Sequence, residues 1–379
     1  MDAAVSLAGD ARWMHMALTL AARSLGRVAP NPAVGAVLVR GGRVLGRGAT
    51  ADGGRPHAEA VALDQARARY GPEALIGATA YVTLEPCAHH GHTPPCAEAL
   101  AAAGIARLVC PLEDPDQRVR GRGFAVLAAA GVAVETGLMA PQARRLNAGF
   151  LSVIERRRPY LTLKLAATLD GRIATAKGES RWITGAAART RVHLMRAKAD
   201  AVLIGAGTAR ADDPMLDARG LGPRAAQPVR IVADGGLSLP LSGRLALSAR
   251  QIPLRLLHRP GAPAGRLAAL KDLGVETVEI AACDNGLLDM ADALRRLAEG
   301  NITRVLCEGG GRLAAALLAG GLVDGIALFT AGRAIGGDGV PGVGAFGLDR
   351  LAEAPGFELE SVEPVGADVL SLWRRAPQP

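Results

Sequence analysis

Three side chains of the types that bind zinc, His57, Cys87 and Cys96, lie far apart in this sequence. A fold that offers all three to one ion must bring three chain segments to a point. This requirement constrains the first third of the chain more tightly than its hydrophobic pattern does. Pro56 precedes residues 57–70, which read as a helix closed by Gly71; residues 80–84 read as a strand delivering Pro86-Cys87; Pro95-Cys96 opens a second helix ending at Gly104. The two helix N-termini should therefore face each other. Residues 11–24 read as a further helix, 34–39 and 44–48 as strands joined by Gly41-Gly42, and 106–110 as the next strand.

Three protein ligands leave one coordination position for water, which is the pattern of a catalytic zinc. Glu59 stands two residues from His57, placed to carry a proton without ligating. His-x-Glu with Pro-Cys-x-x-Cys is the signature of zinc deaminases, whose metal lowers the pKa of water to about 7 for attack on an amidine-like ring carbon. Here eight residues rather than two separate the cysteines. The expectation is hydrolytic deamination, with one Zn2+ per chain on His57, Cys87 and Cys96, and Glu59 as the catalytic acid/base. Taken singly, a His-x-Glu is a solvated helix start and a cysteine pair is packing. Their combination, with a proline at each helix start, favours the metal. A closed structural site would need a fourth ligand from His89, His90 or His92.

At 379 residues the chain exceeds one core, and a boundary is expected between 147 and 159, giving domains 1–150 and 151–379. The second part alternates again. Residues 160–165, 201–204, 229–232 and 304–307 read as strands, with helices such as 186–197 between them and loops at 220–228, 259–265 and 331–347. The class is α/β. The net charge of +8 comes from 40 Arg and 4 Lys among 44 basic residues, a compositional bias, and no basic block exceeds Arg156-Arg157-Arg158. With five Phe, three Tyr and three Trp, stacking platforms for nucleic acid are scarce. Five scattered cysteines, no secretion signal and no long apolar run point to the cytoplasm and away from membranes. Gly205-Ala206-Gly207-Thr208 fails as a dinucleotide fingerprint because Arg210 stands where glycine is needed. Glu308-Gly309-Gly310-Gly311, between a strand and a helix, is the stronger phosphate cradle.

Several stretches make the chain resemble the bifunctional riboflavin-biosynthesis deaminase/reductase family. They are Ala29-Pro30-Asn31-Pro32-Ala33-Val34-Gly35, His57-Ala58-Glu59, Tyr81-Val82-Thr83-Leu84-Glu85-Pro86-Cys87 and Gly91-His92-Thr93-Pro94-Pro95-Cys96. Downstream, Leu163-Lys164-Leu165, Leu169-Asp170-Gly171, Ser180-Arg181-Trp182-Ile183-Thr184-Gly185, Gly205-Ala206-Gly207-Thr208 and Asp212-Asp213-Pro214 resemble its reductase part. The long cysteine spacing is what this family looks like. The resemblance implies a cytidine-deaminase-like α/β/α domain followed by a dihydrofolate-reductase-like α/β domain. It also implies deamination of a diamino-ribosylamino-pyrimidinone 5′-phosphate, then NADPH-dependent reduction of the ribosyl chain, in a homo-oligomer. By the same resemblance Asn31 contacts the deaminase substrate. Ala166, Trp182, Thr208, Asp212 and the segment Gly310, Gly311, Arg312, Leu313, Ala314, Ala315 and Ala316 line NADPH. Ser180, Arg196, Leu216, Arg219 and Glu308 contact the reductase substrate. His92 stands where the family usually has Arg or Lys, and Gly235 where it commonly has Ser. The competing readings are a nucleobase or nucleic-acid zinc deaminase with an unrelated appendage, and a non-catalytic zinc-stabilised interaction module.

Overall fold

The computed structural model describes residues 2–89, 94–222 and 225–376, with the side chains of residues 2–8 excepted. The chain divides into two compact units after Arg157. The first unit contains α1 (Asp2–Ala22), β1 (Gly35–Arg40), β2 (Arg43–Ala49), α2 (Ala58–Tyr70), β3 (Thr79–Val82) and α3 (Cys96–Ala102). It continues through β4 (Arg107–Cys110), α4 (Arg122–Ala129), β5 (Ala133–Thr136), α5 (Ala140–Leu146) and α6 (Ala148–Arg156). Its sheet runs β2-β1-β3-β4-β5, with β1 antiparallel to both neighbours and β3, β4 and β5 parallel.

Glycines decide how the helices sit on this sheet. A Cβ on Gly35 would fall 1.9 Å from the Ala17 carbonyl oxygen of α1, and one on Gly48 2.2 Å from that of Ala58 in α2. Gly48 pairs with Ala36, the residue after Gly35, so the two glycines open opposite faces of the sheet. Helices α1 and α2 therefore pack on opposite sides, and the α/β/α layering follows from strand positions that carry no side chain. The apolar core closes around Met14, Val37, Leu38, Leu63 and Leu108. Helix α1 starts at Asp2 rather than at the expected 11, because nothing in residues 2–10 stops a helix and only the apolar periodicity begins at 11.

The second unit contains β6 (Tyr160–Thr168), β7 (Arg172–Ala174), α7 (Ala186–Ala197), β8 (Ala201–Gly205), α8 (Ala206–Asp212), β9 (Val229–Ala233), α9 (Arg244–Leu247) and β10 (Leu254–His258). It then forms α10 (Ala264–Asp272), β11 (Glu276–Glu279), α11 (Met290–Glu299), β12 (Arg304–Cys307), α12 (Gly311–Ala319) and β13 (Gly325–Ala331). The short β14 (Val340–Pro341) pairs with β7, and β15 (Phe357–Val365) and β16 (Asp368–Arg375) form a hairpin. Nine strands run β11-β10-β9-β8-β12-β6-β13-β16-β15, parallel from β11 to β13 and antiparallel beyond. Leu203 and Ile231 lie in one apolar cluster while Val202, Ile204 and Val232 lie in another. Successive residues of a strand point to opposite faces, so both faces of this sheet are covered. The loops expected at 259–265 and 331–347 are shortened by α10 and interrupted by β14. Among the described residues no helix is long and apolar enough to cross a membrane.

Candidate active sites

In the first unit the two helix N-termini meet. His57 caps α2, Cys96 is the first residue of α3, and Cys87 lies in the loop that leaves β3. His57 Nδ1 is 3.4 Å from Cys96 Sγ and 3.6 Å from Cys87 Sγ. A tetrahedral zinc with Zn–N near 2.0 Å and Zn–S near 2.3 Å sets nitrogen and sulfur about 3.5 Å apart, so this set fits the ion. The Cys96 backbone N–H donates to Cys87 Sγ at 3.4 Å, as a helix N-terminus does for a thiolate. The Cys87 thiol is lowered to about 4, first by its hydrogen bond with Cys96 and also by His57, whereas Cys96 is pushed up by that same bond and by burial. His57 is raised, chiefly by its hydrogen bond with Cys87.

Glu59 lies in the first turn of α2 and is 3% exposed. Burial pushes its carboxyl up to about 7, and the negative Cys87 adds to the rise. A carboxyl that gains and loses a proton near neutrality suits a proton carrier. Glu59, His57 and Cys87 line a cavity of about 160 Å³ together with Asn31, His89 and Asp114. Asn31 fits because Gly54, at φ 86°, has no side chain; a Cβ there would lie 2.0 Å from Asn31 Nδ2. His89 also reaches this cavity, and its Nδ1 is buried without a hydrogen-bond partner among the described residues. It does not belong to the ligand group of His57, Cys87 and Cys96. His90 and His92 lie outside the described residues.

The sequence reading missed what holds Cys87 in place. Glu85 is 4% exposed and accepts backbone N–H bonds from Asp114 (3.0 Å), Gly121 (3.0 Å), Gly123 (2.9 Å) and Phe124 (3.3 Å). One carboxylate thus ties the ligand loop to the start of α4. Asp114, pushed up to about 6 by burial, also reaches the cavity and was missed.

In the second unit the expected residues lie in several separate places. Arg196 and Glu308 meet as a two-pronged ion pair at 2.6 and 2.9 Å, with Lys164 Nζ 3.9 Å from the same carboxylate. Burial lowers Lys164, while Arg196 and Lys164 hold the Glu308 carboxyl below its ordinary value against burial. The head of α12 lies beside α8: a Cβ on Gly310, at φ 64°, would stand 3.0 Å from Thr208 Oγ1, and one on Gly309 2.6 Å from Ile204 Cα. The bare Gly309 lets these segments pack this closely, and the exposed Gly310, at a φ that glycine adopts readily, leaves its backbone at the surface for a group that needs close backbone approach. Gly310, Arg312 and Ala316 are exposed, Gly311 and Leu313 half-buried, and Ala166 and Asp212 half-buried. Ala314 and Ala315 are buried, so their methyl groups pack inward from α12. Leu216 is likewise a core side chain at 3% exposure. Arg219 is exposed and paired with Asp217 at 2.5 Å. Trp182 is 62% exposed with the Arg189 guanidinium 4.6 Å above its ring, and Ser180 is half-buried nearby in sequence.

Comparison with known proteins gives matches across both units. Residues 159–371 match the family described as the RibD C-terminal domain, and residues 8–112 match the cytidine and deoxycytidylate deaminase zinc-binding region. The riboflavin biosynthesis protein RibD of Escherichia coli is 40% identical, covering 95% of this chain and 98% of its own. That of Aquifex aeolicus is 38% identical, covering 97% and 98%. Among solved structures, Acinetobacter baumannii RibD is 37% identical with a TM-score of 0.86, covering 98% of this chain and 100% of its own. The deaminase/reductase from Thermotoga maritima is 33% identical with a TM-score of 0.84 at the same coverage.

Proposed function

This chain belongs to the RibD family, the bifunctional deaminase/reductases of riboflavin biosynthesis, and on that premise we propose how its residues divide the work. His57, Cys87 and Cys96 hold one zinc ion. The observation that carries this is the spacing of the three ligand atoms, within 4.8 Å of one another, with buried Glu59 in the same cavity. Zinc bound there supplies a water nucleophile at neutral pH. Glu59 takes the proton of the attacking water and hands it to the departing amine, and its raised pKa suits both transfers. Asn31 orients the ring of 2,5-diamino-6-ribosylamino-4(3H)-pyrimidinone 5′-phosphate. The products are ammonia and the corresponding uracil.

NADPH held in the second unit would supply the hydride and leave as NADP+, and a proton from solvent would complete the reduction of the ribosyl chain to give 5-amino-6-ribitylaminouracil 5′-phosphate. The N–H groups at the head of α12, from Gly310 and Gly311, hold its phosphates, with Arg312 and Leu313 following. Ala166, Trp182, Thr208 and Asp212 form the walls. Ser180, Arg196, Arg219 and Glu308 hold the substrate, with Leu216 contributing only its backbone. The Arg196–Glu308 pair fixes both side chains before anything binds. The reactions belong in the cytoplasm, where free thiols and NADPH coexist; all five cysteines are free.

The test is to incubate the purified protein with the diaminopyrimidine phosphate, with and without NADPH, and weigh the products. The deaminated ribosyl compound is expected without NADPH and the ribityl compound with it. A deaminated product that NADPH leaves unchanged would remove the second activity, and no ammonia at all would remove the first.

A further inference from the structure

The choice between NADPH and NADH turns on one phosphate, the 2′-phosphate of the adenosine ribose. Among the cofactor residues named above only Arg312 is a cation, and it stands in the first turn of α12 with the diphosphate cradle. Gly205, Ala233 and Leu257 lie in register across β8, β9 and β10. The residues just beyond them, including Gly235 and Arg259, therefore lie side by side at the carboxyl ends of parallel strands. Dinucleotides bind at such ends, and the ribose is read past the next strand, by an acid for a free hydroxyl or by an arginine for a phosphate.

Here the acid is withdrawn. Asp234 is 2% exposed, and its carboxylate accepts from Ser238 Oγ at 2.9 Å and from the Leu239 N–H at 2.7 Å. The exposed Arg259 lies over the following residue instead. Its Nε donates to the Gly235 carbonyl at 3.2 Å and its Nη1 to that of Gly286 at 3.0 Å. A Cβ on Gly235 would stand 3.2 Å from Arg259 Nε, so the missing side chain makes room for the guanidinium. Arg210 of α8, the residue that breaks the dinucleotide fingerprint, donates to Ser238 Oγ and brings a second exposed guanidinium to the same turn.

We infer that Arg259, with Arg210 beside it, binds the 2′-phosphate of NADPH and sets the preference for NADPH over NADH. The inference rests on the NADPH reading above. A guanidinium can bind a phosphate through two parallel hydrogen bonds, a strong and directional contact. The Nη2 of Arg259 and the second hydrogen of its Nη1, which its two carbonyl bonds do not use, form the pair of donors offered to the phosphate.

The test compares adenosine 2′,5′-bisphosphate with 5′-AMP by calorimetry on the full-length protein, alongside NADPH and NADH. The wild type is expected to bind the bisphosphate at least about tenfold more tightly than 5′-AMP. Arg259→Ala should abolish most of that ratio, and Arg210→Ala a smaller part, while 5′-AMP binds as before and so reports an intact pocket. An unchanged ratio in Arg259→Ala overturns the inference, as does a wild type that binds NADPH and NADH equally. A wild type that binds neither dinucleotide overturns the cofactor reading itself. If Arg259→Ala weakens 5′-AMP too, Arg259→Lys decides: a recovered preference supports the phosphate contact, and none overturns it.

Discussion

The two units build their sites from different material. In the first, side chains make the site: an imidazole, two thiols and a carboxyl converge from two helix starts and a strand end. In the second, much of the candidate site is backbone, packed closely at Gly309, Gly310 and Gly311 at the head of α12, and Arg196, Lys164 and Glu308 are tied to one another. A site made of ligands is specified by residue identity. A site made for a cofactor that brings its own reactivity is specified by shape, and shape is stored in residues that look unremarkable in a sequence.

This contrast can be broken. Cys96→Ser should take zinc from about one per chain to nearly none and abolish ammonia release, while NADPH binding persists; metal analysis and calorimetry read both, and loss of NADPH binding would show that the sites are not separable. Glu59→Gln should keep its zinc and lose about a thousandfold in ammonia release. A smaller effect follows in the other unit. Gly309→Ala puts a Cβ 2.6 Å from Ile204 Cα, and should cost the second unit about 2 kcal/mol of stability while deamination is untouched. Thermal melting with both assays checks this, and unchanged stability would mean that the cradle has slack.

The smallest effect concerns pH. Asp114 is pushed up to about 6 by burial. The folded unit therefore keeps a proton that the unfolded chain, with a carboxyl near 4, has already released. This contribution to stability is fully present below pH 4 and lost as pH rises toward 6. Relative to the wild type, Asp114→Asn should flatten the stability curve across that window, and denaturant melts at pH 4, 5 and 6 would reveal parallel curves if the carboxyl titrates normally.

The sequence exposes the ligand set because proline, histidine, glutamate and cysteine are rare enough in combination to stand out. It hides the partners of Glu85, because these are backbone N–H groups of residues 114–124 that carry no residue type of their own. Strand β15 illustrates a second kind of loss. Glu358, Glu360 and Glu363 and Pro364 obscure its strand pattern, yet an edge strand beside β16 tolerates charge on its open side, and proline where no ladder bond is needed. Resemblance supplied most of the second site, and it did so by position along the chain. It could not say that Ala314, Ala315 and Leu216 turn into the core, since a helix or a left-handed residue decides which neighbours in sequence become neighbours of a ligand. The alternation of strands and helices is legible in both units, whereas β10, β11, β13, β15 and β16 do not stand out in the sequence.

The continuity of the chain through Arg157, where one unit ends and the next begins, has a consequence for supply and demand. Two enzymes on separate chains can be made in any proportion, and a cell can let a reactive intermediate build up by making too much of the first. Here every copy of the deaminase arrives with one copy of the reductase. For a given supply of substrate, the balance between forming and consuming the intermediate then depends on the relative turnover of the two sites, and a mutation that slows the second cannot be offset by making more of it without making equally more of the first.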